Sequence, residues 1–538
     1  MARWLSPQVG FGLVAALYVL SFPYHPGLRS PNELCRMWQS RSLVEDGTLH
    51  INGPIQRYGM VGDLSCTAVV KDETGEHLAP CVGPNAPRSG VTAAWYYPSK
   101  APLVSFLGAP VYWVLHKVSG GSVSELSQVL WSRLFVTIAP TLAMLWLLRR
   151  YLEAYVSAAT AASFTVVYAL GTMAFSYAEA FMSHQLTGVL LFCAYFCAWK
   201  VERREWKERA YLLAGLAASA AVVAEYTAAL GVLCVAVWTI SARWKQWPAL
   251  ARAVGLVTLG AAPLLAALLW YHQVVFGSPF VSGYKFLNDA AYMSWHQGGF
   301  LGIKVPDPSA LWLSFFSPLR GLFALSPFLV VVGFGLRDLK QREKNLFVFT
   351  LAVLLAHAYF TSSFSYQSWG WTVGPRHLTG ILPFLILPVA LVFERLWSTS
   401  SFKAGLVAGL GASSVLATGV VGFTNYIPDD VSTSVFGLAL PVLMDGFWPV
   451  SWLAAFVPNP ASGAVLVGLL LAATAWVAAS FLQGRAKDAW GGVALAVVLH
   501  FGALKLFTRG DAADQGATKF LESVWVAKSG QSLQFKGR

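Results

Sequence analysis

Apolar stretches long enough to cross a bilayer recur along the chain, with polar segments between them. A hydrocarbon core takes about 20 apolar residues of helix. By that measure residues 8–24, 128–148, 154–175, 183–199, 210–224, 228–241, 253–271, 319–336, 345–361, 378–394, 404–424, 463–482 and 489–507 are candidate spans, about thirteen in all. Residues 210–241 are short for two crossings and read as a hairpin turning at Glu225, Tyr226 and Thr227. The expected fold class is an all-α polytopic membrane protein. No small-residue cleavage site is evident after the apolar run from Val9 to Leu20, so that run reads as an uncleaved first span.

The polar segments set the phase of these crossings. With the N-terminus inside, alternate loops are LLRRYLEA, KVERREWKER, SARWKQWPALAR, RDLKQREKN, ERLWSTSSFK and QGRAKD, each rich in Lys or Arg as cytoplasmic loops are. The phase holds only if APLVSFLGAPVYWVLHKV (101–118) lies in the interface or re-enters, which its two prolines and its Tyr112-Trp113 pair suit. The other face then carries the long loops 25–127, 272–318, 362–377 and 425–462, with juxtamembrane helices expected in the first. A transporter keeps its polar groups at the midplane. Polar chemistry gathered on one face points instead to an enzyme at the outer leaflet.

Composition agrees. The chain is 56% hydrophobic and 12% charged, against roughly 25% charged in soluble proteins. A net charge of +12 would suggest nucleic acid in a soluble chain. Here the cations are dispersed among loops, and no nucleic-acid partner is expected. Cys193, Cys197 and Cys234 lie in apolar segments as packing residues, while Cys35, Cys66 and Cys81 lie in the first polar loop. If that loop faces an oxidising compartment, Cys66 and Cys81 are a candidate disulfide and Cys35 is left over. No Cys/His spacing suggests zinc, and no GxxxxGK[ST] phosphate loop is present.

The most informative stretch is PNELCRMWQSRSLVEDGTLH (31–50), directly after the first span. Pro31 and Gly47 read as the start and stop of a juxtamembrane helix. With YYPSKAPL (Lys100, Pro102), WSRLF (Arg133), SYAEAFMSHQ (Glu179, His184), FSPLRGLFALSP (Arg320) and WGWTVGPRHLTGILPFL (Arg376, His377), it forms an ordered set of motifs. That set resembles the GT-C membrane glycosyltransferases, and among them the bacterial aminoarabinose-transferase and protein O-mannosyltransferase type (glycosyltransferase family 39). The family's usual acidic pair after the first span is Asn32-Glu33 here.

The resemblance covers most of residues 1–395, read as the catalytic transmembrane module, with 396–538 as variable C-terminal helices and a tail. It implies sugar transfer, with inversion, from a polyprenyl-phosphate donor to a lipid, glycan or protein acceptor. The implied setting is the periplasmic face of a bacterial inner membrane. The rival readings are a lipid or polysaccharide transporter and an inactive assembly protein, for which Asn32 is the best argument.

Roles follow from the chemistry required. The acceptor must lose a proton in the transition state, and Glu33 is the first candidate for that, with Glu179 assisting; a helix-start charge is the plain alternative for Glu33. Arg36, one turn on, can pair with Glu33 or contact the donor phosphate. Lys100, Arg320, Arg376 and His377, with His184, are candidates to hold the phosphate, since fixed cations stabilise the leaving group; snorkelling at helix ends is the alternative for the arginines. Glu225 reads as a paired residue at the hairpin tip. Tyr366, Trp369 and Trp371 suit either sugar stacking or an interfacial belt. No cofactor is assigned. A divalent cation, Mg²⁺ or Mn²⁺, held by two outer-face carboxylates is open, and Glu33 is an alternative holder of one.

Overall fold

A computed structural model of the chain describes residues 3–23, 30–73, 75–299, 302–364, 370–449, 451–482 and 487–524. Tyr366 and Trp369 lie outside the described residues.

Helices coincide with each expected span except one. Among the described residues, seven are long and apolar enough to cross a membrane: Glu125–Glu153, Trp247–Phe276, Lys344–Ser363, Arg376–Thr399, Ser401–Thr424, Ala461–Leu482 and Lys487–Leu506. Pro7–Leu20, Leu103–Val118, Ala158–Gly171, Ala210–Ala224, Ala228–Arg243 and Val435–Met444 are apolar but shorter. By length and composition, seven helices among the described residues therefore qualify as crossings on their own, and the shorter apolar helices stand beside them. The exception is 319–336. Pro327 and Gly321 divide it into Leu322–Leu325, a 3-10 turn Pro327–Val331 and Val332–Arg342, as expected where proline cannot continue a hydrogen-bonded helix.

The first polar loop corrects the all-α expectation. It holds the predicted helix, Pro31–Glu45, with Pro31 in its first turn and Gly47 beyond it at φ 66°, followed by Asn52–Tyr58. It then folds into three antiparallel strands, β1 (Leu64–Asp72), β2 (Gly75–Pro80) and β3 (Val91–Pro98), in the order β2-β1-β3. The β-branched and aromatic content of LSCTAVVKD and VTAAWYYP favours strand. Central β1 is almost wholly buried along its first half. The Cys66–Cys81 disulfide is formed across the sheet, with Cα atoms 5.5 Å apart. Cys35 is free and buried.

Four of the basic loops meet at one end of the helix bundle. Trp199 Nε1 donates to Tyr155 Oη (3.0 Å), Arg342 donates to the Tyr155 carbonyl (3.2 Å), and Thr160 Oγ1 donates to Glu394 (2.6 Å). Helix Ser183–Glu202 runs away from that opposite end and Ala210–Ala224 returns to it, so Ser183 and Glu225 lie together at the far end. Helices Ala210–Ala224 and Trp247–Phe276 approach at glycine. A Cβ on Gly215 would stand 2.0 Å from the Val257 carbonyl oxygen, so only a bare backbone permits this crossing. The sheet covers the far end. Ser65 Oγ donates to the Gly283 carbonyl (2.7 Å), and Asn288 N–H to the Leu64 carbonyl (2.8 Å), which binds the 277–289 segment to β1.

Candidate active site

A cavity of about 1160 Å³ opens at the far end, between the start of helix Pro31–Glu45, the sheet, the 225–227 hairpin tip and the segment before Arg376. Its polar wall includes Asn32, Asp63, Lys100, Glu225, Arg376 and His377.

Glu33 is not part of that wall. Its two oxygens accept from Arg133 Nε and Nη2, both at 2.8 Å, and Oε1 also accepts the Phe181 N–H at 2.6 Å. Arg133 lies in a short π-helical stretch, Arg133–Ile138, and donates in addition to the Pro23 carbonyl (2.9 Å). Both side chains are buried. Arg36 does not pair with Glu33. Its Nη1 donates to the carbonyl (2.8 Å) and the side-chain oxygen of Asn32, and its Nη2 to Ser183 Oγ (3.3 Å). The helix puts Asn32 and Arg36 one turn apart on the same face, whereas Glu33 points to the neighbouring helix.

Glu179 is fully buried beside the first helix, where its Oε1 accepts from Ser21 Oγ. Burial pushes its carboxyl well above the usual range. It too lies off the cavity wall.

Lys100 stands at the end of β3 with Nζ 3.2 Å from Asp63 Oδ1 and over the Tyr284 ring at 5.9 Å. Burial pulls the ammonium down, but Asp63 and then Tyr284 push it up, and the net shift is upward. Asp63 mirrors this: burial pushes its carboxyl up, while Lys100, and then Arg376, hold it below the ordinary value. Asp63 occupies the left-handed region at φ 57°, and its carbonyl accepts the Ser99 N–H (2.9 Å), fixing the two strand ends that carry the pair. His296, on helix Ala290–Gln297, stacks on Tyr284 at 4.3 Å and is pushed down to about 4 by burial.

Arg376 opens the helix Arg376–Thr399 and lines the cavity. Its Nε has no hydrogen-bond partner, and no carboxylate among the described residues pairs with it. Arg320 is placed differently. It is buried behind the wall, with Nη2 2.6 Å from Asp429 and Nη1 donating to the Gly370 carbonyl (2.6 Å). It props the Gly370 and Asp429 segments that line the cavity.

Glu225, at the hairpin tip, has Oε2 2.9 Å from His184 Nδ1 and Oε1 3.2 Å from His377 Nδ1, and Oε2 accepts from Ser183 Oγ at 2.9 Å. Burial raises this carboxyl, and the two imidazoles more than offset it, holding it well below the usual range.

The structure thus brings Lys100, Arg376 and His377 to one cavity and sets Arg36 and His184 directly behind it. It leaves Glu33, Glu179 and Arg320 in supporting positions. Two carboxylates on the wall were not singled out for chemistry from sequence. Asp63 carried no local signal, because its partner Lys100 is distant in the chain. Glu225 was visible only as a polar residue at a hairpin tip.

No protein-family model matches the chain, and no curated protein matches it. In structure the chain is similar to ArnT from Cupriavidus metallidurans in the apo state, at 15% identity and TM-score 0.48 over 97% of this chain and 88% of that one. It is also similar to ArnT from Cupriavidus metallidurans bound to undecaprenyl phosphate (14%, 0.45, 88% and 77%). A third likeness is to the apo oligosaccharyltransferase of Archaeoglobus fulgidus (10%, 0.39, 100% and 61%).

Chemically, the wall offers an unpaired guanidinium and a carboxylate-paired ammonium for an anion, with an ionised carboxylate beside them. An anion there gains charge-assisted hydrogen bonds in a partly water-excluded site. Trp371, Tyr292 and Tyr426 on the same wall supply faces for a sugar ring or an isoprenoid.

Proposed function

We propose that this chain is a membrane glycosyltransferase that moves a sugar from a polyprenyl phosphate to an acceptor hydroxyl or amine on the periplasmic face of a bacterial inner membrane. The observation that carries this reading is Arg376: a guanidinium on the wall of a large cavity, with no carboxylate partner among the described residues, next to Lys100. An unpaired charge in a partly buried site is costly unless a ligand supplies the counter-charge. The ordered sequence motifs support the same reading, because Lys100 and Arg376 come from two of them.

The acceptor atom attacks the anomeric carbon from the face opposite the phosphate. The carbon–oxygen bond to phosphate breaks, and polyprenyl phosphate leaves with the bonding electrons. Lys100 and Arg376 stabilise the charge that the phosphate gains. Asp63, ionised and open to the cavity, takes the acceptor proton. Glu33 and Glu179 act as positioning residues that fix helix Pro31–Glu45 and the 179–183 turn behind the site. The test is incubation of the purified protein with radiolabelled polyprenyl-phosphate sugars and a membrane-lipid acceptor extract. Release of sugar to an acceptor supports the reading; absence of release with pentose, hexose and amino-sugar donors overturns it.

A further inference from the structure

We propose that His184, Glu225 and His377 bind a divalent transition-metal ion of the zinc class. The three side chains come from the start of one helix, the tip of the 225–227 hairpin and the start of a third helix. Their ligand atoms all lie within 4.8 Å of one another. Metal–ligand bonds of about 2.0–2.2 Å in a tetrahedral site put neighbouring donor atoms about 3.3 Å apart. Glu225 Oε2 to His184 Nδ1, at 2.9 Å, and Glu225 Oε1 to His377 Nδ1, at 3.2 Å, are each close to that, one from each carboxylate oxygen.

Two further observations point to a ligand there. His184 is buried, at 5% exposure; its Nδ1 lies 2.9 Å from Glu225, and its Nε2 has no hydrogen-bond partner. A cavity of about 20 Å³ is lined by His184, Glu225, His377 and also His357, enough for one atom the size of a water. Glu225 and His377 line the large cavity as well, so an ion held here would keep a side open to its contents. The carboxylate is oriented from behind: Arg36 donates to Ser183 Oγ and Ser183 donates to Glu225, the outer-shell support that ligating carboxylates usually have.

Two imidazoles and one carboxylate select zinc, cobalt or nickel over magnesium or manganese, which prefer all-oxygen sets. Arg376 lines the same small cavity and opposes a divalent cation; an anion shared with the large cavity offsets that repulsion.

The test uses full-length protein purified in detergent without a polyhistidine tag, dialysed against Zn²⁺ and then passed over a chelating resin. Elemental analysis is expected to find about one zinc per chain in the wild type, with that equivalent lost in His377→Ala and in Glu225→Gln. Mg²⁺ treated the same way is expected not to be retained. Should either variant fail to fold, the wild type loaded with Co²⁺ decides: intense visible ligand-field bands from a low-coordinate nitrogen/oxygen site support the proposal, and the weak spectrum of the aquated ion overturns it. Zinc well below one equivalent in the wild type, or zinc retained in both folded variants, also overturns it. Metal content is read independently of sugar release, so either proposal can fail without the other.

Discussion

Glu33 and Arg133 form a doubly hydrogen-bonded ion pair, two contacts of 2.8 Å between side chains that are 6% and 5% exposed. Removing one partner leaves the other charge buried and unpaired, which costs about 3–5 kcal/mol. Arg133→Ala and Glu33→Ala are therefore expected to lower thermal stability sharply, and Glu33→Leu/Arg133→Leu less than the sum of the two singles. Detergent thermal-shift measurements on the four proteins check this; additive losses would show that the pair does not act as a unit.

Arg376 is the opposite case. No carboxylate among the described residues is orphaned by its removal. Arg376→Ala is expected to keep the wild-type midpoint within a few degrees while turnover falls by about 10²–10³. The checks are a thermal shift and a single-turnover assay on the same preparation.

The Asp63–Lys100 pair makes a pH prediction with a definite sign. Asp63 is held below its ordinary 3.8, so its contribution to stability is present above that value and is lost as pH falls through the depressed one. Lys100 is held above its ordinary 10.5, so its contribution is present below that value and is lost as pH rises through the raised one. The stability difference between wild type and Asp63→Asn should therefore be flat from about pH 5 to pH 9 and shrink only outside that window. Asn tolerates the left-handed backbone at this position, so the comparison isolates the charge. A difference that changes steeply between pH 6 and 8 would contradict the assigned shifts.

The Cys66–Cys81 bridge joins positions 15 apart in sequence, a loop for which cross-linking contributes about 3 kcal/mol. Reduction, or Cys66→Ala/Cys81→Ala, is expected to lower the midpoint and to expose the sheet to protease before the helices. Limited proteolysis with and without reductant reads this directly.

Much of this was legible in the chain. Apolar length and Pro31 and Gly47 located the helices, and the shared outer loop of Cys66 and Cys81 made them a candidate bridge. The sheet was hidden because β1 pairs with β3 across the whole of β2 and the Cys81–Gly90 segment, a contact no local pattern records. Ala158–Gly171 and Ala210–Ala224 fall at expected spans as apolar but short helices. Within the site, Lys100 and Arg376 were visible as cations at helix or strand ends. The partner of Arg36 was not. Residues three and four apart on a helix are both neighbours, and the structure chooses Asn32 at four rather than Glu33 at three because Arg133 claims Glu33. Asp63 and Glu225 acquire their chemistry from partners 37 and more residues away, which only the fold supplies.

The most direct measurement of the central claim is sugar release from a polyprenyl-phosphate donor by wild type, Arg376→Ala and Asp63→Asn in matched lipid nanodiscs. The account predicts release by the wild type and about a hundredfold less by each variant, with folding preserved. Wild-type rates in folded Arg376→Ala would contradict it.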